Sequence, residues 1–317
     1  MKYYFAPMEG ITGYVFRNAF HEYFGPMDKY FTPFVSPTQN GCFTPKEYRD
    51  ICPENNPIPG VVPQILANNA EYFVQTAKEL RQMGYEEINL NLGCPSGTVV
   101  SKKKGAGFLS VPWQLDAFLE QIFEQVEGRI SIKTRLGMED PEEFEGLLEI
   151  FERYPVAELT IHPRIRTEYY KGTPHRDMFY RVAKRCRLPL CYNGDLWTCK
   201  DIDEVVKESK VEALMLGRGL LRHPGLLAEY AGKDWGGTGR VQEFSDRLFE
   251  DYTEVMGEHN AMFKMKELWL YLGTYFAASE KEIKPLKKAG DAKEMKQAIR
   301  RLLAKSETDR AGVELND

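Results

Sequence analysis

The chain has 317 residues, of which 43% are apolar, 12% aromatic and 28% charged, and a formal charge of −5. That composition excludes a disordered chain and a uniformly basic nucleic-acid coat protein, and it allows one large domain with a smaller one beside it. Mean hydropathy is −0.46, and no apolar run approaches the roughly 18 residues a membrane helix needs, so no span is predicted.

Short strand-like runs begin at Lys2, Lys29, Gly60, Glu87, Ile130, Val156, Leu188 and Val211. Between the later ones, 3–4 residue apolar spacing predicts helices over Ala70–Met83, Pro112–Val126, Pro141–Arg153, Arg176–Cys186 and Lys200–Lys207. Asn69 supplies a start signal for the first of these, and Pro112 and Pro141 sit in first turns. Strands alternating with helices eight times over predict an α/β fold, a (β/α)8 TIM barrel. A doubly wound sheet is the rival, weakened because no G-x-G-x-x-G follows the first strand. The stretch 232–239 (GKDWGGTG) reads as a linker. Residues 1–235 are therefore assigned to the barrel and 241–317 to a small helical bundle.

The sequence MKYYFAPMEG has no apolar core of the kind a secretory signal carries. Its six cysteines are scattered, with no CxxC pair and no zinc-like spacing, so no metal is expected. These features together predict a cytoplasmic protein without a disulfide framework.

In barrels of this type the working residues lie at the carboxyl ends of the strands. Those ends carry Pro7, Met8, Gln64, Asn91, Cys94, Lys133, Arg135, His162, Arg164, Asn193, Gly194, Asp195, Gly217 and Arg218. Singly, Lys133 is a buried lysine paired with a carboxylate, His162 a satisfied core histidine and Cys94 a small hydrophobe. Their convergence on one rim favours a site. In EINLNLG, Asn89 and Asn91 share a face and need polar partners. The glycine turns after the seventh and eighth strands are where such barrels often hold a phosphate. Backbone N–H groups can approach the oxygens there, and Arg218 adds a charged fork. A phosphorylated cofactor is implied.

At these residues the sequence resembles the tRNA-dihydrouridine synthase family of bacterial type. The matching stretches are APMEGITGYVFR (6–17), INLNLGCP (88–95), KKKGAGFL (102–109), IKTRLG (132–137), HPRIRTEYYKG (162–172), NGD (193–195) and LGRG (216–219). The pattern departs from the family at Gly13, Phe108, Pro163, Ile165 and Glu168. The resemblance implies reduction of the C5=C6 bond of uridine in tRNA, with bound FMN delivering hydride from N5 and NADPH as a transient reductant. It makes Cys94 the acid that protonates C5, since a thiol of pKa about 8.5 holds its proton at neutral pH. It gives the flavin Pro7, Met8, Gln64, Lys133, His162, Asn193, Gly194, Asp195, Gly217 and Arg218, with Lys133 at the N1–C2=O edge. Asn91 would bond the target uracil. Lys102, Arg164, Arg166, Tyr170 and Lys171 are candidates for tRNA contact. The loop from Ser101 to Gly107 reads as a mobile lid, or as a plain solvated lysine run. No protein partner and no membrane are implied.

Charge is uneven. From Ala261 to Lys305 there are eleven basic and five acidic residues, a local +6 that leaves −11 for the rest. A basic helical tail can bind a phosphate backbone although the whole chain is acidic. Two rival functions remain at this level: an FMN barrel reductase of a free pyrimidine or other small alkene, and a non-catalytic tRNA-binding relative.

Overall fold

The structure, a computed structural model, describes residues 1–277 and 279–314. Eight parallel strands close a barrel in sequential order, the first pairing with the last. They are β1 (Lys2–Phe5), β2 (Lys29–Val35), β3 (Val61–Ile65), β4 (Glu87–Leu92), β5 (Arg129–Arg135), β6 (Leu159–His162), β7 (Leu190–Asn193) and β8 (Ala213–Leu216). All eight predicted strands form, because short β-rich apolar runs bounded by turn residues suit a parallel sheet buried on both faces. The helices between them are α1 (Tyr14–Phe24), α2 (Pro45–Ile51), α3 (Ala70–Gln82), α4 (Gly97–Val100), α5 (Pro112–Gln125), α6 (Glu143–Phe151), α7 (Arg176–Ala183) and α8 (Cys199–Ser209). After β8 come α9 (Arg218–Arg222), α10 (Leu226–Tyr230), α11 (Gly237–Met256), α12 (Glu258–Phe276), α13 (Glu280–Lys288) and α14 (Ala292–Glu314).

The chain divides into two units. The first holds Met1–Glu9, Met27–Leu196 and Lys200–Leu216; the second holds Gly10–Pro26, Trp197–Cys199 and everything from Gly217 onward. The sequence-based boundary at 235 therefore differs from the observed grouping. Helix α1 belongs with the tail because its aromatic face packs there. Phe244 of α11 meets Phe16, Tyr23 and Phe24 edge-on at 5.3–5.9 Å. The Tyr252 hydroxyl donates to Ile11 O at 3.5 Å, and Lys264 bonds the Gly10 carbonyl.

Within the first unit a buried apolar cluster joins Tyr4, Ala6, Phe31, Val62, Cys191, Ala213 and Met215. At the amino-terminal end, Lys29 binds Glu87 at 2.9 Å and Glu158 at 3.1 Å. The Tyr4 hydroxyl donates to the second Glu158 oxygen at 2.8 Å. In β2, Pro33 lacks a donor and the β2–β3 register slips between Phe31 and Phe34. The Thr32 hydroxyl accepts the Gln64 amide there at 3.2 Å, so backbone and side chain of Gln64 are both fixed from outside the regular ladder.

Among the described residues no helix is long and apolar enough to cross a membrane, and no three His, Cys, Asp or Glu side chains gather as a metal site.

Candidate active site at the carboxyl rim of the barrel

The rim is organised by a hydrogen-bond chain whose direction is fixed by the backbone. The amides of Gly93 and Cys94 can only donate, and both donate to Asn91 Oδ1 at 3.0 Å. Asn91 Nδ2 must then donate onward, to Gln64 Oε1 at 2.6 Å. Gln64 Nε2 donates to Asn89 Oδ1 at 2.7 Å, and Asn89 Nδ2 to the Ser131 hydroxyl at 2.9 Å. Asn89 and Asn91 lie opposite Ser131 and Lys133 in the β4–β5 ladder, so all four sit on one face. The partners demanded by the two asparagines are therefore largely protein groups. Asn91, expected to bond the target uracil, uses its amide oxygen to shape the turn that carries Cys94; only its second N–H is left for a ligand.

Lys133 is half-buried and makes no ion pair or hydrogen bond with the described residues. Burial, with the Arg135 cation adding to it, pushes its ammonium down to about 8. It is not the carboxylate-paired lysine that is the commoner reading of such a residue. An unpaired cation in this setting favours an anionic or strongly dipolar ligand. Burial moves the Cys94 thiol in the opposite direction, above its usual range, partly offset by the Ser96 amide and by the Arg135 and Lys133 cations. At neutral pH Cys94 is thus a proton carrier rather than a thiolate.

Arg135 was not given a role by the sequence, although strand alternation puts it on the same face as Lys133. Its Nε donates to Gly93 O at 2.9 Å and its Nη1 to Ile165 O at 3.0 Å, while its guanidinium lies 5.3 Å from the Tyr170 ring centre. It ties the Cys94 turn to the β6 loop.

The lysine–glycine loop does not have the character of a lid. Gly105, Ala106, Gly107, Phe108 and Leu109 are buried, and the Ala106 amide donates to Cys94 O at 3.0 Å. A Cβ at Gly105 would stand 2.9 Å from the Cys94 Cβ, and one at Gly107 2.6 Å from Val100 O. The glycines serve close approach, not flexibility. Lys102 is exposed, with its carbonyl accepting from Asn68 at 2.9 Å. Phe108, a departure from the family pattern, packs edge-on against Phe118 at 5.2 Å.

Arg164 was a candidate for tRNA contact, and the structure corrects this. It is fully buried and grips Asp195 with both ends, at 2.6 and 3.1 Å. It also donates to Lys171 O, Gly172 O and His162 Nε2 at 2.6–3.1 Å. Asp195 accordingly faces an arginine, which makes both residues organisers of the β6 and β7 loops. The His162 nitrogen that receives Arg164 must be the acceptor. Asn193 donates to Met215 O at 2.8 Å, joining the ends of β7 and β8. A Cβ at Gly194 would stand 2.5 Å from the Tyr192 hydroxyl, so a side chain there would have to push the buried Tyr192 ring aside.

Arg166 and Tyr170 remain at the surface side of the β6 loop, the first stacked at 5.1 Å on Tyr169, the second 47% exposed; Lys171 is exposed. Glu168, where the family carries glutamine, caps the Ile165 amide at 2.9 Å and binds His175 Nε2 at 2.9 Å. Pro7 and Met8, just past β1, are half-exposed. Gly217 directly follows β8, and in the second unit the Arg218 guanidinium lies 5.0 Å from the Trp197 ring centre.

A closed parallel barrel with a half-buried, unpaired cation and a protonated thiol at its carboxyl rim is a TIM-barrel enzyme of ligand-binding type. Comparisons with known proteins narrow this. The profile described as "Dihydrouridine synthase (Dus)" matches residues 4–308. The chain belongs to the dihydrouridine synthase family, whose reaction is the reduction of uridine. It is 29% identical over 236 residues to the tRNA-dihydrouridine(16) synthase of Vibrio vulnificus, covering 71% of this chain and 73% of that one. It is 31% identical over 232 residues to a probable tRNA-dihydrouridine synthase of Staphylococcus aureus (strain Mu50), covering 69% and 68%. To the probable tRNA-dihydrouridine synthase 1 of Synechocystis it is 27% identical over 228 residues, covering 71% of this chain but only 62% of that protein. Among solved structures, the old yellow enzyme of Trypanosoma cruzi shares the fold with a TM-score of 0.51 at 12% identity, covering 73% of this chain and 88% of that one. Histamine dehydrogenase of Rhizobium does so at 0.53 and 12%, covering 80% and 48%.

Proposed function

We propose that this chain is a flavin-dependent oxidoreductase that reduces the C5=C6 bond of uridines in tRNA. The observation that carries the reading is the juxtaposition of two groups: a thiol that keeps its proton, on the turn after β4, and a half-buried cation on the adjacent β5 with no counter-ion among the described residues. The residues present fit an FMN. Lys133 supplies the missing positive charge for an electron-rich ring edge, and Gln64 is held in one orientation with one N–H to spare. Pro7 and Met8 offer an apolar edge. When bound, FMN would supply the hydride, with NADPH as its reductant.

This chain's own residues do the rest. His162, Asn193 and Gly194 would hold the ribityl chain and phosphate, with Asp195 and Arg164 setting their loops. A target base must leave the tRNA stack to enter the rim, at a cost of a few kcal/mol. Asn91 and Arg135 fix the Cys94 turn, and Cys94 Sγ–H then protonates C5 of the uracil enolate. Lys133 steadies negative charge on the cofactor side. Lys102, Tyr170 and Lys171 lie at exposed positions suited to tRNA contact, with Arg166 half-buried beside them.

The tail supports an RNA substrate over a free pyrimidine. In α13 and α14, Lys281, Lys284, Lys287, Lys288, Lys293, Arg300 and Arg301 are exposed and make no ion pair with the described residues. Such a row suits a phosphate backbone and gives a small-molecule reductase nothing. Truncating the tail is a poor test, since α1 would lose the Phe244 face; reversing Lys284, Lys287 and Lys288 to Glu spares that packing. The protein is expected to purify yellow and to restore dihydrouridine to tRNA from a strain lacking its gene. Colourless protein that cannot be reconstituted with FMN would overturn the reading.

A further inference from the structure

Trp113 is 72% exposed, the most exposed of the large hydrophobic side chains. It has no ring contact or side-chain hydrogen bond among the described residues. A lone surface tryptophan needs no explanation by itself, but this one is held in an unusual setting. It is the second residue of α5, directly after Pro112, whose ring fixes φ and so the direction in which the helix starts.

The segment that carries it is the one that carries Cys94. From Cys94 the chain runs through α4, the three lysines and the buried turn Gly105–Ser110 to α5. Two bonds close this segment on itself: the Ala106 amide to Cys94 O at 3.0 Å, and Lys103 Nζ to the Ser110 hydroxyl at 3.2 Å. The second brings an ammonium to Ser110, two residues ahead of α5. Lys102 beside it is exposed and makes no ion pair. No acid lies in the first turn of α5. The next acid along, Asp116, is occupied by Arg153 at 2.7 Å and Tyr154 at 2.7 Å.

Trp113 thus presents an exposed aromatic plane three residues past Ser110, the residue to which the Lys103 ammonium is bonded. A protein partner would want further apolar neighbours, and in the chain Trp113 stands between Pro112 and Gln114. A nucleic acid wants a π-face for a base and ammonium groups for its phosphates. We propose that Trp113, with Lys102 and Lys103, is a stacking dock for an unpaired nucleobase of the tRNA, outside the Cys94 pocket. A nucleotide held there would be fixed relative to Cys94 by the packed loop, so the dock helps select which uridine reaches the rim. This inference rests on the tRNA reading above.

The test uses full-length enzyme and tRNA from a strain lacking the gene. Binding is followed by filter retention and turnover by dihydrouridine formation. Trp113→Ala is expected to raise both the Kd and the KM for tRNA about tenfold, the loss of one base stack. Its kcat and its NADPH oxidation without tRNA should stay at the wild-type level. Trp113→Phe keeps a π-face and should recover most of the loss, which a merely structural residue exchanged for a smaller ring would not do. Wild-type tRNA affinity in Trp113→Ala overturns the inference, and so does unchanged tRNA affinity with altered self-association in sedimentation, which would assign the face to a second copy. Failure of the wild-type enzyme to bind tRNA overturns the substrate reading itself, and the dock with it.

Discussion

The two ends of the barrel treat a lysine in opposite ways. At the amino-terminal end Lys29 meets two buried carboxylates, and a tyrosine hydroxyl completes the set. At the carboxyl end Lys133 pairs with no carboxylate among the described residues, and the Arg135 cation adds to the push on it. The first arrangement stabilises the closed end only while it is complete. The second leaves an unfavourable charge that a ligand can relieve. The contrast separates the end of the barrel built for stability from the end built for chemistry, as barrels of this architecture generally do.

The contrast can be broken in several ways. The largest expected effect is at Cys94. Cys94→Ala should lower dihydrouridine formation by about 10²–10⁴, the usual worth of a general acid, and leave NADPH-driven flavin reduction intact. Because the thiol is shifted upward, wild-type activity should fall on the alkaline side only beyond the ordinary thiol range. Next is Lys29→Met, which leaves Glu158 buried without its cation and Glu87 with only Arg129, at 3.5 Å. Denaturant unfolding should show a loss of about 3–5 kcal/mol, with kcat unchanged at temperatures where the protein is folded. Gly105→Ala comes third. Its new methyl must push on the Cys94 Cβ, so turnover should drop about tenfold, a shift of about 1.4 kcal/mol in the barrier, with flavin content preserved.

The smallest effect has the opposite sign. Lys133 has a folded-state pKa of about 8, below its usual value. Between those values the unfolded chain binds more protons, so the apoprotein gains stability as pH rises through this window. Lys133→Met should raise the apoprotein Tm by about 2–4 °C near neutral pH and flatten that dependence, while weakening FMN binding. A ligand that favours the ammonium should also bind the wild type less tightly above pH 8.

Much of this was legible in the sequence. The eight strands and their polar ends followed from short apolar runs and turn residues, which local pattern is enough to reveal. The resemblance placed Cys94 and Lys133. What was not legible depends on contacts far apart in the chain. Grouping α1 with the tail needs Phe16 and Phe24 to meet Phe244, which no local period encodes. The lysine–glycine loop read as a lid because lysines and glycines also build mobile loops; only the 2.9 Å approach of a Gly105 Cβ to Cys94 shows otherwise. Arg164 read as a tRNA contact because a ligand-gripping arginine and a buried structural one share a letter. Trp113 gave no signal, since exposure is invisible until α5 is docked.

The central claim is that the carboxyl rim reduces uridine with Cys94 as the proton donor. It is tested most directly by incubating purified enzyme, NADPH and tRNA from a strain lacking the gene, and quantifying dihydrouridine formed by wild type, Cys94→Ala and Lys29→Met. Product from wild type and from folded Lys29→Met, with almost none from Cys94→Ala, is the expected result. Product from Cys94→Ala at the wild-type rate, or none from wild type carrying FMN, would contradict it.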